Sequence, residues 1–319
     1  MPIGNLREDF EGMSALMRRS WGGAAQGAFR YEAAFLASTY QYPGACLVDA
    51  PAWYVNDTLQ GFVCAFPRKA FCAGRELTLQ CLTFLTCAPE LRGQHIGSQL
   101  WHEALLRARN RGYDGCVYYF QDGSPTESIA ARAAASMGCG VHRLLSFGYL
   151  GKALSGLSVA AIQPAATPPA IGTFVELSGT LSANTCVGRS WSLMEADWQC
   201  YRRQGALALA RITTEGPGIL TAYLMPLDDH DQSRICLIED VLLQGIPAPD
   251  RRSLVAELLA EAASRGASTA IVPLLRYADM SAFRELGFRR LLRKMHAELT
   301  LFDQSLAPHS GGAIYMDVL

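Results

Sequence analysis

The sequence lacks the features that mark several classes of protein. Its ten cysteines include no C-x-x-C pair and form no His/Cys cluster with zinc spacing. No apolar run approaches the roughly 18 residues of a membrane-spanning helix, and the first residues contain no apolar signal segment. The net charge of −1 gives no support for a nucleic acid or an anionic membrane as a partner. We therefore expect a cytoplasmic protein with reduced cysteines and without a metal ion.

What the chain does have is enough apolar sequence for two domains. Its 319 residues correspond to two domains of roughly 150 residues each. Half of the residues are hydrophobic and 18% are charged, which is typical of a globular protein with large cores. Residues 151–170 combine prolines and small residues with little charge. This composition predicts a linker between one domain at 1–150 and another at 171–305.

The most informative segment is residues 79–115, where an apolar strand leads through a polar turn into a helix. The apolar run Leu79–Cys87 predicts the strand, Pro89 ends it, and apolar residues recur with a helical period after Ser98. The turn Arg92–Gly97 lies between them. The first N–H groups of a helix have no intrahelical partner, and the helix dipole adds partial positive charge there. These residues therefore predict an anion site that fits a pyrophosphate, against the simpler alternative of an ordinary strand–helix turn.

This segment resembles the acetyl-coenzyme A signature of the GNAT N-acetyltransferase superfamily, in which Arg/Gln-x-x-Gly-x-Gly/Ala follows a strand and a proline. Arg92 and Gly97 fit the signature, whereas His95 stands at the position of its middle glycine. The resemblance implies that acetyl-CoA, or another acyl-CoA, is the co-substrate. It further implies that main-chain groups of three strand residues pair with pantetheine and polarise the thioester carbonyl, namely Leu85, Thr86 and Cys87. The implied contacts of the turn and helices are Arg92, Gly93, Gln94, His95, Ile96, Gly97, Ser98 and Glu127.

The order of the predicted elements agrees with this resemblance in both halves of the chain. In the first half, two helices and three strands lead into the signature helix, and a strand, a helix and a last strand follow. The second half repeats the plan, with a strand predicted at 172–177, a helix at 183–204 and further elements up to residue 302. We therefore predict an α/β (α+β) fold of two tandem GNAT domains, each a mixed, mostly antiparallel sheet flanked by helices. The architecture alone is similar to that of mycothiol synthase.

The second half departs from the plan at its signature and at its end. Aligning Arg251–Ala256 on the signature sets Ala256 against Gly97 and puts the bulk of Leu254 where the signature has glycine. We therefore expect a degenerate copy that does not bind coenzyme A. The tail, residues 306–319, ends in a strand-like segment, and we expect it to add an edge strand to the first domain.

The groups that usually complete catalysis in this family are absent from their expected positions. The family often has a tyrosine four residues before the glycine that ends the last helix. Ala134 stands there in the first half and Phe283 in the second. The first half also has no glutamate on the strand between Leu77 and Cys87.

Three residues remain as catalytic candidates. Tyr118 and Tyr119 lie on the strand beside the cofactor strand, and alternation lets at most one of them face the cleft. Glu239 lies on the central strand of the second half. The alternative for the tyrosines is sheet packing, and the alternative for Glu239 is a solvated or helix-capping carboxylate.

The sequence thus predicts an acyl-CoA-dependent N-acyltransferase that moves an acetyl group to the amine of a small molecule. The first domain would bind the cofactor, the second would shape the acceptor pocket at the cleft, and the protein would be a monomer or a homodimer. Two alternatives stay open. One is a non-catalytic acyl-CoA-binding or regulatory protein, and the other is altered thioester chemistry, either acyl transfer from a carrier protein or decarboxylation.

Overall fold

The computed structural model describes residues 3–21, 29–72, 74–156, 165–227, 233–308 and 313–316. Within them, strands from both halves of the chain form one sheet with helices on both faces. The strands are β1 (Gly4–Asn5), β2 (Pro51–Val55), β3 (Thr58–Cys72), β4 (Arg75–Cys87), β5 (Gly115–Gln121), β6 (Gly140–Ala153), β7 (Val187–Ser190), β8 (Ala206–Ile212), β9 (Pro217–Pro226), β10 (Arg234–Leu242), β11 (Ala267–Pro273), β12 (Arg289–Leu301) and β13 (Ile314–Tyr315).

The helices are α1 (Phe10–Trp21), α2 (Ala33–Tyr40), α3 (Ile96–Asn110), α4 (Pro125–Ser136), α5 (Ile171–Ala183), α6 (Leu193–Asp197), α7 (Ala248–Ser264) and α8 (Ser281–Glu285). A π-helical turn, Trp198–Arg202, continues α6. We call the part that ends with β6 the first half and the part that begins with α5 the second half. None of the helices in the described ranges is both long and apolar enough to cross a membrane.

The two halves are joined because strands β6 and β12 exchange places. The strand order is β1-β2-β3-β4-β5-β12-β6-β11-β10-β9-β8, so β12 of the second half lies between β5 and β6 of the first. In turn, β6 pairs in antiparallel fashion with β11. The predicted mixed, mostly antiparallel sheets are confirmed, but they merge into one. Of the predicted linker, residues 157–164 lie outside the described residues.

The apolar pattern of each element explains which face it covers. In α3, Leu100, Trp101, Ala104 and Leu105 follow the helical period and are almost completely buried against one face of β3–β5. Helix α7 covers the same face of the sheet in the second half. The opposite face carries one core to which both halves contribute strands, and α1 and α2 pack on it.

Two predicted elements of the second half are wrong. Residues 172–177 lie in α5, not in a strand, and residues 183–204 contain β7 before the short helix α6. Short apolar runs have no periodicity that separates a strand from a buried helix. Strand β7 exists because it pairs with β3 of the first half, and that contact is not encoded in its own four residues.

The strand expected at the end of the chain is present but lies beside a different partner. Strand β13 pairs in parallel with β7 of the second half. The tail therefore does not pair directly with the first half, since β7 stands between them. The pairing buries Ile314, Tyr315 and Met316, which accounts for their apolar character.

Candidate active site

A gap opens between β4 and β5 at their carboxyl ends. The two strands pair in parallel only as far as Leu82 and Tyr118, whereas β4 continues to Cys87. In the ladder between β3 and β4, Phe62 pairs with Thr86 but Cys64 pairs with Thr83, so β4 has one extra residue at this point. The bulge bends β4 away from β5. In the described strands, nothing pairs with the β5-facing edge of residues 83–87, and we call this opening the first wedge.

The bulge is centred on Phe84, which has a φ of +56°. This left-handed conformation is uncommon for a bulky residue and is held by its surroundings. The Thr86 hydroxyl donates a hydrogen bond to the Phe84 carbonyl at 2.8 Å. Packing of the Phe84 ring beneath two other aromatic rings adds to this restraint.

The start of α3 faces the mouth of the first wedge and presents four N–H groups. The first hydrogen bond of the helix runs from Gln99 N–H to the His95 carbonyl, and no side chain caps the helix. Within the described part of the chain, the N–H groups of residues 95–98 therefore have no partner. Together with the helix dipole, they form a site for an anion.

His95 takes the backbone conformation that the signature assigns to glycine. Its φ is +61°, in the left-handed region, and its side chain is exposed. Histidine tolerates this region better than most residues. Gly93 also has a positive φ, +82°. The turn thus contains two residues in the left-handed region, one of them the non-glycine His95.

Gly97 lies between the wedge strand and α4. A Cβ atom there would stand 3.6 Å from Cys87 Sγ, 3.7 Å from Ile129 and 3.8 Å from Leu85, which are ordinary contacts. A methyl group would fit, but a longer side chain would reach into the space between the wedge and the helix start.

Arg92 and Glu127 are both held by ion pairs or hydrogen bonds to protein groups. Arg92 Nη2 donates to the Ser20 carbonyl at 2.7 Å, and the Ser20 hydroxyl donates to the Cys87 carbonyl at 3.0 Å. Arg92 thereby fixes the end of α1 over the wedge strand. Glu127 forms an ion pair with Arg143, which also pairs with Glu298 of β12 at 3.0 Å.

The two candidate tyrosines lie on opposite faces of β5. The Tyr118 ring is fully buried beneath α3, 5.1 Å from the Trp101 ring, and its hydroxyl lies 2.9 Å from Thr300 Oγ1. Burial raises the pKa of Tyr118 well above its usual value. Tyr119 is half-buried and packs on the same face as Phe84. Of the two, Tyr119 is therefore the one beside the wedge on the side of α1 and α2.

Glu239 lies at the matching bulge of the second half, where the β9–β10 register shifts between Ile238 and Val241. Its carboxylate forms an ion pair with Arg203 at 2.8 Å, and both side chains are buried. Arg203 also lies 3.6 Å over the Tyr223 ring. The structure thus places Glu239 in a buried charge pair on the central strand.

The corresponding wedge of the second half is filled by its own side chains. Strands β10 and β11 also separate after one short parallel stretch, which ends at Leu237 and Ile271. The Val241 N–H donates to Tyr277 Oη at 3.3 Å, and Tyr315 Oη donates to Asp240 at 2.7 Å. The two tyrosine rings pack edge to face at 5.0 Å.

The helix start of the second half is also occupied. Arg251 Nε donates to the Ile246 carbonyl at 2.7 Å, and its guanidinium forms an ion pair with Asp279. The guanidinium therefore covers the turn before α7. Because α7 begins at Ala248, Ala256 lies about two turns inside the helix and does not correspond to Gly97.

Sequence reasoning missed an aromatic cluster at the first wedge. The Phe84 ring lies 5.1 Å from the Tyr31 ring and 6.5 Å from the Trp21 ring, and the Trp21 and Tyr31 rings are 5.4 Å apart. These residues come from three separate segments, so no local pattern could have grouped them. A non-glycine residue in the left-handed region at Phe84 gives no signal in the sequence.

Comparisons with known proteins identify the fold of the chain. The acetyltransferase (GNAT) family model matches residues 10–138. A structure of Saccharomyces cerevisiae N-myristoyltransferase with bound myristoyl-CoA and inhibitors is 12% identical, with a TM-score of 0.78, covering 100% of this chain and 86% of that chain. Another structure of the yeast enzyme, with bound myristoyl-CoA, has a TM-score of 0.79 at 12% identity, covering 100% and 84%.

A GCN5-related N-acetyltransferase from Anabaena variabilis is 13% identical, with a TM-score of 0.54, covering 95% of this chain and 73% of that chain. A search of curated proteins found no match to the sequence. Identities this low show the fold alone, whereas the family model matches the segment that contains the first wedge and the start of α3. The match to the GNAT acetyltransferase family model covers residues 10–138, and the structural neighbours share the fold of the whole chain.

Proposed function

We propose that the protein transfers an acetyl group from acetyl-CoA to the amine of a small molecule, with the cofactor held by the first half. One observation carries this proposal: the open first wedge leads directly to four unpartnered N–H groups at the start of α3. A strand edge that can pair with pantetheine thus stands beside a helix start that can bind pyrophosphate. This arrangement supports contacts with the main chain of Leu85–Cys87 and of residues 93–98.

The aromatic cluster at the wedge supports a short acyl group. An acyl chain that passed from the wedge to the side of α1 and α2 would meet Phe84, which is 8% exposed, with Tyr31 and Trp21 packed around it. Protein interiors are close-packed, so these rings leave room for few extra methylene groups. We therefore favour acetyl over the long chain named for the yeast structures.

The proposed chemistry is attack of the neutral amine on the thioester carbonyl. An N–H group of the wedge edge would stabilise the oxyanion of the tetrahedral intermediate. The carbon–sulfur bond then breaks, and the thiolate takes up a proton. Tyr119, on β5 beside the wedge, is the candidate donor of that proton. Glu239, already paired with Arg203, would then stabilise the acceptor side of the cleft rather than act as a base.

The second half would shape the acceptor pocket. Its own wedge is filled by Tyr277 and Tyr315, and its helix start is covered by Arg251. Both observations support a degenerate copy that does not bind acetyl-CoA. The strand exchange brings this copy against the first half on the face that both share. A peptide amine is the rival acceptor to a small molecule.

A thiol-release assay tests the function. We expect acetyl-CoA to bind in calorimetry and to release coenzyme A when the right amine in a panel of small amines and peptides is present. Release with peptides alone would replace the small-molecule acceptor with a peptide. Binding without release for any amine would indicate the non-catalytic acyl-CoA-binding alternative. Loss of carbon dioxide from malonyl-CoA would indicate the altered chemistry.

A further inference from the structure

Three polar residues that the proposed acyl transfer does not use meet at the centre of the sheet. Strand β12 lies between β5 and β6, and the register sets Phe120, His296 and Ser146 side by side in one row. Neighbours in such a row point to the same face, so the His296 and Ser146 side chains are adjacent. Asp122 follows directly after β5 and reaches the other side of the imidazole. Both halves of the chain contribute to this cluster, since Asp122 and Ser146 belong to the first half and His296 to the second.

The distances form a continuous hydrogen-bonded series. His296 Nε2 lies 2.9 Å from Asp122 Oδ1, and His296 Nδ1 lies 2.8 Å from Ser146 Oγ. A carboxylate can only accept, so Nε2 carries the proton and donates it to Asp122. The hydrogen bond with His296 lowers the pKa of Asp122, which keeps that carboxylate charged. In the neutral imidazole with its proton on Nε2, Nδ1 has a free lone pair that accepts a hydrogen bond from the Ser146 hydroxyl.

The three residues differ in exposure, and this difference suits a nucleophile with a buried base more than a contact within the core. His296 is 5% exposed and is shielded by the Phe120 ring at 6.2 Å, whereas Ser146 is exposed to solvent. A substrate can thus reach the hydroxyl while the base behind it is held in place. Lys294 lies two residues before His296, so alternation places it on the same face, and its charge acts on Asp122. An exposed cation thus lies on the same face, opposite Gly148 and two residues along β6 from the serine.

We propose that Ser146, His296 and Asp122 form a second catalytic site, which hydrolyses small acyl esters or thioesters through an acyl-serine. It is independent of the proposed acetyl transfer, because Ser146 lies two strands beyond β5 on the side away from the first wedge. The roles match those of a Ser-His-Asp triad with the two ring nitrogens interchanged.

The steps balance with water as the second substrate. Ser146 Oγ attacks the acyl carbon as His296 Nδ1 takes its proton, and the alcohol or thiol leaves with that proton. Water then attacks the acyl-serine, giving one proton to Nδ1. The carboxylic acid departs, and the proton returns to Ser146 Oγ. Asp122 holds the imidazole throughout, and Lys294 stabilises the negative charge that develops near the serine.

The test treats the full-length protein, without coenzyme A, with a fluorophosphonate probe and locates the labelled serine by mass spectrometry. Labelling of Ser146 is expected, together with hydrolysis of p-nitrophenyl acetate. Ser146→Ala should abolish both, while Ser128→Ala, a change at another exposed serine, should alter neither. Asp122→Asn changes an exposed side chain and should slow labelling at least roughly tenfold, since a positioned base contributes about 10²–10⁴.

Two results would overturn this site. One is that the probe leaves Ser146 unlabelled in the unmodified protein. The other is that Ser146 is labelled equally fast in the Asp122→Asn and His296→Gln variants, which would reduce the three residues to a hydrogen-bonded link between strands. Gly97→Asp should be labelled like the unmodified protein, so a failure of the acetyl-transfer proposal remains distinguishable from a failure here.

Discussion

The first and second halves each contain a bulged strand that separates from its parallel neighbour, yet they use the resulting gap differently. Among the described residues, the edge of residues 83–87 in the first half faces no strand, and the N–H groups at the start of α3 have no partner. In the second half, Tyr277 and Tyr315 bond to groups of β10, and Arg251 bonds to the turn before α7.

This difference is what we expect of a second copy that keeps the fold of the first without its proposed binding site. In the second half, protein side chains occupy this gap: the Tyr277 hydroxyl accepts a hydrogen bond from the Val241 N–H, and Arg251 covers the turn before α7. Because buried N–H groups must be paired, filling the gap stabilises the fold without the ligand. In the first half, the β5-facing edge of residues 83–87 has no partner among the described strands, so the proposed ligand can pair with it.

The largest loss of stability is expected from Glu239→Gln, in the second half, whose wedge is filled by side chains. The change leaves Arg203 buried without its charged partner, and removal of one member of a buried ion pair costs about 3–5 kcal/mol. Urea denaturation would measure the lower free energy of unfolding. Arg7→Gln, which removes an exposed pair with Asp57, is the control and should cost about 1 kcal/mol or less. A full loss of thiol release with unchanged stability would instead make Glu239 a base.

Phe84→Ala, in the open half, should change both stability and donor preference. Removal of a buried phenylalanine ring costs about 3–5 kcal/mol. We expect the ratio of kcat/KM for an octanoyl to an acetyl donor to rise about tenfold, since the ring limits the space for the acyl chain. Phe288→Ala creates a similar cavity in the second half and should leave this ratio unchanged. An unmodified protein that prefers long donors would contradict the acetyl assignment.

Acid should weaken a buried contact between the two halves, in which Glu195 bonds to Arg189 and to Tyr42 of the first half. Burial alone would raise the pKa of Glu195, but the charge of Arg189 and hydrogen bonds from Tyr42 and Ser192 outweigh it and lower the pKa to about 2. A lowered folded-state pKa adds stability above the unfolded value and loses it as pH falls. The loss should run from about pH 4.5 to about 2 and amount to roughly 3 kcal/mol.

The free energy of unfolding, measured as a function of pH, tests this prediction for Glu195. Glu195→Gln should be less stable at neutral pH and should show a shallower acid slope. An unchanged slope would mean that Glu195 does not contribute to the acid dependence of unfolding.

Gly97→Asp should weaken cofactor binding at least about tenfold, or about 1.4 kcal/mol. The new carboxylate would enter the space between the wedge and the helix start and repel the pyrophosphate. Calorimetry with acetyl-CoA would measure the change. Ala256→Asp introduces the same side chain about two turns inside α7, away from the start of α3, and should leave the affinity unchanged. Equal binding by Gly97→Asp and the unmodified protein would place the cofactor elsewhere.

The smallest loss of stability is expected from Tyr277→Phe, in the filled wedge of the second half. The Val241 N–H loses one hydrogen bond, which costs about 1 kcal/mol, visible as a small fall in the thermal midpoint. Acetyl-CoA binding should not increase, because Tyr315 and Arg251 still fill the site. A second binding event in calorimetry would show that one hydroxyl alone keeps the second half closed.

Local sequence predicted the elements around the cofactor site well. The strand expected at Leu79–Cys87 lies within β4, and the helix expected after the turn is α3, because each has a clear pattern and Pro89 separates them. The same reasoning missed α5 and β7. Their apolar runs are short, and β7 is a strand only through its pairing with β3.

The sequence by itself determined the strand, the turn and the helix start that make up the predicted anion site, since these are local features with their own patterns. Tertiary structure decided which gap stays open, how β12 and β6 exchange places, and that Phe84, Tyr31 and Trp21 meet. Those outcomes depend on contacts between residues far apart in the chain. Strand pairing and burial set them, and neither the spacing nor the composition of any one segment records them.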